Sequence, residues 1–236
     1  KNVVFPADKV LNDFMKQTYD GVWSDNGATY FREIEINIGD IFPVVAAPHN
    51  VDNVKSVFEA AGTVVHEGLI GTCTNGRIED LRVAAGILKG KKIKEGFQLN
   101  VIPASRDIYL SAIEEGLITD MVKAGANVLT PSCGPCLGTG QGIPASGHTV
   151  ISTANRNFLG RMGNKDAQIY LASPATVAVS ALTGVITDPR SKAGFEKFPY
   201  KIEQSTTIAI KPGENRKSGN VWNYSDVDNF NTDQMF

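Results

Sequence analysis

The 236-residue sequence has no run of 18 apolar residues, so no part of it reads as a membrane-spanning helix. It has only three cysteines, an odd number that rules out a fully paired disulfide scaffold and leads us to expect a reducing, cytoplasmic setting. Excess basic charge is also missing. The 23 Lys and Arg face 25 Asp and Glu for a net charge of -2, which leaves no footprint for nucleic acid, although local arginines can still grip small anions. There is no G-x-x-x-x-G-K-[ST] phosphate loop, no G-x-G-x-x-G dinucleotide turn, no G-x-S-x-G elbow and no Ser-His-Asp order. Phosphate-loop, dinucleotide-binding and serine-hydrolase readings therefore lack support.

What is present is an alternation of helical and extended patterns, the signal of an α/β layer with mainly parallel strands. Residues 7–19 have helical spacing at Val10, Leu11, Phe14 and Met15, and "TYFREIEIN" alternates with the period of a strand. "NVDNVKSVFEAAG" reads as a helix with Val54, Val57 and Phe58 inward and Gly62 as its break. "TVVHEGLIGT" is a buried strand with His66 as a core histidine. Residues 73–76 follow as a loop and 77–88 as an amphipathic helix. "GFQLNVIPAS" is the next strand, followed by a helix at 106–115 and a shorter one closed by Gly125. "ANVLTPS" then delivers Cys133, "HTVISTA" delivers "NRNFLGR", and "AQIYLAS" delivers a helix capped by Ser173 with Pro174 in its first turn. Ligands of open α/β sheets bind beyond the carboxyl ends of the strands, where these loops fall. Residues 186–220, rich in Pro, Gly and charge, read as a boundary.

Cys133 and Cys136 form a C-x2-C pair, and such a pair serves a dithiol redox centre, half of a zinc site or part of an iron–sulfur ligand set. A dithiol leaves Cys73 without a role. Structural zinc wants four ligands, and none of His49, His66 and His148 has the spacing that would complete a Cys3His set. Cys73 as a plain buried apolar residue is at odds with its neighbours Thr72, Thr74 and Asn75. A [4Fe-4S] cluster on Cys73, Cys133 and Cys136 uses all three thiols and leaves one iron open, as a catalytic metal requires. A zinc or dithiol binding module, or a scaffold with vestigial cysteines, remains open at this level.

"GTCTNGRIEDL", "PSCGPCLG" and "STANRNFLGRMG…AQIYLASPATVAVSALTGVITDP" resemble the iron–sulfur domain of the aconitase / 3-isopropylmalate dehydratase superfamily, continuously over residues 63–190. The resemblance implies an α/β three-layer sandwich with a mainly parallel sheet, and a [4Fe-4S] cluster held by Cys73, Cys133 and Cys136 with one open iron. It implies that Arg156, Arg161, Asn155 and Asn75 bind substrate, the arginines through its carboxylates and the asparagines from beside the cluster. It further implies a hydro-lyase acting on a hydroxy di- or tricarboxylate. The pattern is closest to 3-isopropylmalate dehydratase and homoaconitase, with aconitate hydratase the other member of the class. No catalytic residue is identified in this chain, because in the family the base is a serine of the swivelling domain and the acid groups come from earlier domains. Residues 1–190 are expected to form the cluster domain, and 191–236 a linker and the opening of the swivelling domain, carried by "NVWNYSDVDNF". The chain thus reads as a piece of a fused enzyme, inactive alone. Its expected partners are those other domains and a small-molecule substrate, with no nucleic acid and no membrane.

Overall fold

Residues 41–191, with Gly27 and Thr29, are described by a computed structural model of the chain. The helix expected at 7–19, all of the strand expected at 29–37 but Thr29, and the swivelling-domain opening lie outside these residues. The elements below all belong to one unit, Phe42–Pro199.

Among the described residues the strands are β1 (Val44–Ala46), β2 (Val54–Ser56), β3 (Glu67–Gly71), β4 (Gln98–Ile102), β5 (Asn127–Val128), β6 (Thr149–Ser152) and β7 (Gln168–Leu171). They form one sheet in the order β2-β1-β7-β6-β3-β4-β5. The pairs β7-β6, β6-β3, β3-β4 and β4-β5 are parallel, while β1 is antiparallel to both β2 and β7. The expected α/β class with a mainly parallel sheet is therefore observed, with an antiparallel edge added. All five residues of β3 are buried, as a central strand covered on both faces requires.

Among the described residues the α-helices are α1 (Val57–Ala60), α2 (Thr72–Asn75), α3 (Ile78–Leu88), α4 (Arg106–Glu114), α5 (Leu117–Ala124) and α6 (Pro174–Thr183). Alternation along the strands sorts the core into two faces. Ile70, Leu99, Val101 and Ile151 share a cluster with Leu81, Ala84 and Ala85 of α3, Met121 of α5 and Val177, Ala178 and Ala181 of α6. On the other face Leu69, Ile102, Val150 and Ile169 pack with Cys136, Ala154 and Met162, which lie outside these α-helices. The described helices thus cover one face, while the loops bearing Cys136 and Met162 cover the other.

Two local readings are corrected. The helix expected across residues 50–62 is a strand followed by a single turn, because Val54, Lys55 and Ser56 pair with Ala46, Val45 and Val44. Val54 and Phe58 are 58% and 56% exposed, and only Val57 of the three expected inward residues is buried. The true helix start carries its own signal: Ser56 accepts from the Glu59 N–H and Glu59 reaches back to the Ser56 N–H, a capping box written S-x-x-E. His66 is the second correction. It is exposed rather than in the core, because it precedes β3 at the sheet's amino edge, where its Nδ1 accepts from the Thr149 N–H at 3.1 Å.

Candidate functional site

The three loops expected at the carboxyl edge of the sheet meet there. β3 ends at Gly71, whose φ of +111° and missing side chain admit the Ile102 carbonyl oxygen where a Cβ would collide with it. The chain then turns through α2, one helical turn rather than the expected open loop, and Thr72 holds a φ of +70°. A β-branched residue in that region stores strain. The α2 turn is laced to the end of β6: the Gly71 N–H donates to Thr153 Oγ1 at 2.8 Å, Asn75 Nδ2 donates to the Thr153 carbonyl, and Thr74 Oγ1 donates to Asn155 Oδ1 at 2.9 Å. Cys73 is exposed within this turn.

On the far side, the loop after β5 runs through Cys133 into a 3-10 turn at Gly134–Leu137, with the Cys136 N–H bonded to the Cys133 carbonyl at 3.1 Å. Gly134 packs on Ile102 Cδ1, so one residue at the end of β4 backs both the Cys73 turn and the Cys133 turn. Cys133 is exposed and Cys136 is 6% exposed. Gly138, at φ +80°, lies so close to the 160s loop that a Cβ would stand 2.6 Å from the Gly163 amide nitrogen. That approach brings Arg161 Nη2 to 3.8 Å from Cys136 Sγ. The guanidinium of Arg161 lies 5.5 Å from the Phe158 ring centre, and its Nε is buried without a partner.

The expected site residues thus sit on neighbouring loops. Cys73, Asn75 and Asn155 are joined through the α2 lacing, and Cys136 with Arg161 through the Gly138 contact. Arg156 is exposed beside Asn155. Among the described residues no three His, Cys, Asp or Glu side chains are close enough to hold a single metal ion. Two residues that sequence reasoning missed hold the frame. Thr153, 2% exposed, ties α2 to β6, and Asn157, fully buried, turns its Nδ2 toward the carbonyls of Ala47 (2.8 Å), Ile169 (3.3 Å), Ala46 and Asn50. The repeat of Asn in "NRN" was the available signal for Asn157.

A family model, the aconitase family (aconitate hydratase), matches residues 54–184. The chain belongs to the aconitase family. Among curated relatives, "3-isopropylmalate dehydratase large subunit 2" of Archaeoglobus fulgidus is 52% identical over 192 residues, 79% of this chain and 46% of the relative. "Probable methanogen homoaconitase large subunit" of Methanosarcina mazei is 54% identical over 194 residues, 80% of this chain and 49% of the relative. "3-isopropylmalate dehydratase large subunit" of Clostridium botulinum is 49% identical over 193 residues, 80% and 46% of the two chains. The chain spans about half the length of the curated relatives it matches. Among the described residues of this aconitase-family chain, no helix is long and apolar enough to cross a membrane.

Proposed function

We propose that this chain is the cluster-carrying part of a hydro-lyase that dehydrates and rehydrates a hydroxy di- or tricarboxylate, 3-isopropylmalate dehydratase-like. Homoaconitase is the second reading, because the homoaconitase-named relative matches about as well as the dehydratase-named ones. The observation that carries the proposal is Arg161: a guanidinium 3.8 Å from a cysteine sulfur, with a buried nitrogen that has no partner. Such a group is built to receive an anion beside a thiolate-bound centre.

The donor set fits a [4Fe-4S] cluster on Cys73, Cys133 and Cys136. Each cysteine of a cluster binds a different iron, so three thiols on neighbouring turns suit a cage although they do not converge on one ion. When bound, the cluster supplies one iron without a cysteine, a Lewis acid for a substrate hydroxyl. This chain's own residues do the rest of the binding. Arg161 and the exposed Arg156 take carboxylates in forked, charge-assisted bonds, and Phe158 backs the Arg161 guanidinium from one side. Asn155 and Asn75 hold the Cys73 turn against the arginine loop, each through a bond across the gap. Proton removal from carbon falls to groups outside this chain, and the words "large subunit" in the relatives' names point to a small-subunit partner or its fused equivalent.

Anaerobic reconstitution with iron and sulfide tests the reading. The chain should take up about four irons and gain visible charge-transfer absorption, and Cys73→Ser, Cys133→Ser and Cys136→Ser should each lower iron uptake. Colourless binding of zinc, or iron uptake indifferent to Cys73, would replace the cluster with a zinc or dithiol module.

A further inference from the structure

The loop between β5 and β6 leaves the carboxyl edge of the sheet, presents Cys133 and Cys136 there, and must travel back to the amino edge to begin β6 at Thr149. Its returning arm is pinned at several points. Gly142 lies against Asn100, Asn164 Nδ2 donates to the Pro144 carbonyl at 3.3 Å, and Ser146 Oγ donates to Asp166 Oδ2 at 2.7 Å. The remaining anchor is of a different kind. Glu67, the first residue of β3, is 5% exposed and points to the face that the loop covers, as Leu69 does. Its Oε1 is 2.6 Å from His148 Nδ1 and 3.4 Å from the Ala145 amide nitrogen. A carboxylate only accepts, so His148 donates from Nδ1. The His148 ring is held in plane by stacking on His66, with centroids 4.8 Å apart and planes 13° apart, and His66 in turn accepts from the first amide of β6.

We propose that Glu67 is a positioning residue for the cysteine loop, acting from the opposite edge of the sheet through His148 and Ala145. A buried carboxylate must keep its donors, so the last turn before β6 cannot lift without stranding that charge. With the arm fixed, the loop's slack is taken up and Gly138 is held on Gly163, the contact that keeps Cys136 beside Arg161. The functional meaning of this clamp rests on the cluster reading above. The clamp itself does not.

The test uses the metal-free chain and compares two thiols within each molecule. Cys136 is buried, so its alkylation by iodoacetamide reports opening of the loop, whereas Cys73 is exposed on a separate turn. Peptide mass spectrometry gives the ratio of the two rates. Glu67→Ala should raise the Cys136-to-Cys73 ratio about fivefold or more, and Glu67→Gln, which can still accept both bonds, should stay near the native ratio. If Glu67→Ala yields no folded protein, His148→Ala is read in the same way, with the same rise expected. An unchanged ratio in the alanine variants overturns the proposal, as does a parallel rise at both cysteines or a Glu67→Gln ratio equal to that of Glu67→Ala. A native chain that keeps Cys136 protected but takes up no iron would sink the cluster reading and leave the clamp standing.

Discussion

Asn157 illustrates how much of this site is frame rather than chemistry. Its buried Nδ2 faces four carbonyl oxygens and joins the arginine loop to β1 and β7. Asn157→Ala should cost about 2 kcal/mol, and Asn157→Asp more, since a carboxylate would turn an acceptor toward acceptors. Urea unfolding of the two variants orders them, and an Asp variant as stable as native would refute the assignment. The Gly71–Thr72 pair makes a second contrast. Gly71→Ala drives a Cβ into the Ile102 carbonyl and should cost at least about 2 kcal/mol, whereas Thr72→Gly gives up a strained φ and a buried, unpartnered hydroxyl and should stay within about 1 kcal/mol of native. Asp188 carries a pH signature. Burial pushes its carboxyl up, but the Arg190 side-chain bond, backbone bond and charge together hold it below the usual value. A depressed folded value contributes stability above the unfolded carboxyl pKa of about 3.9 and loses it as pH falls through the folded one. Arg190→Gln should therefore narrow the difference between melting temperatures at pH 7 and pH 3. It also removes the cation set 5.6 and 5.2 Å from the rings of Phe42 and Phe58.

At the scale of elements, the sequence was legible wherever one period ruled a segment. The bounds of α3, α4 and α5 follow the apolar spacing and the glycines that close it, and Ser173 caps α6 by accepting from the Thr176 N–H. The segment around Val54 was misread because three apolar residues at helical spacing outweighed the S-x-x-E box that marks the start of α1 at Val57. Pairing with β1 is a tertiary fact that no local window contains. β5 was read as a longer strand than it is: two residues pair, and Cys133 comes five residues later. Close packing gives the helical layer its most exacting test. Ala84 and Ala85 of α3 and Ala178 and Ala181 of α6 are all buried to within 1% in one cluster, so small side chains set the spacing between these helices. Ala178→Leu should cost about 1–3 kcal/mol by overpacking, read as a lower denaturant midpoint with an unchanged slope. A neutral result would mean that the interface has room that its burial denies.

At the scale of the whole sheet, the sequence carried its class but not its order. Strands far apart in the chain become neighbours, β6 beside β3 and β7 beside β1, and only that order explains why the Cys73 turn touches Asn155 across 81 residues. The same assembly bears on what the described residues contribute. Among the described residues its carboxyl edge gathers thiols, guanidinium groups and amides, groups suited to binding and orienting an anion. The buried carboxylate Glu67, together with His66 and His148, belongs to the amino edge, about 13 Å away along β3 at 3.3 Å per residue. On the reading proposed above, the proton-transfer groups lie outside the described loops. The reconstituted 236-residue chain should therefore load its cluster yet hydrate neither isopropylmaleate nor aconitate above the uncatalysed rate, and activity should appear only when the remaining domains are supplied. In that complemented enzyme Arg161→Lys should raise KM about tenfold or more, because an ammonium cannot replace the fork that grips a carboxylate. Turnover by the isolated chain would mean that it carries its own base, and a KM indifferent to Arg161 would remove the anion site from its place beside Cys136.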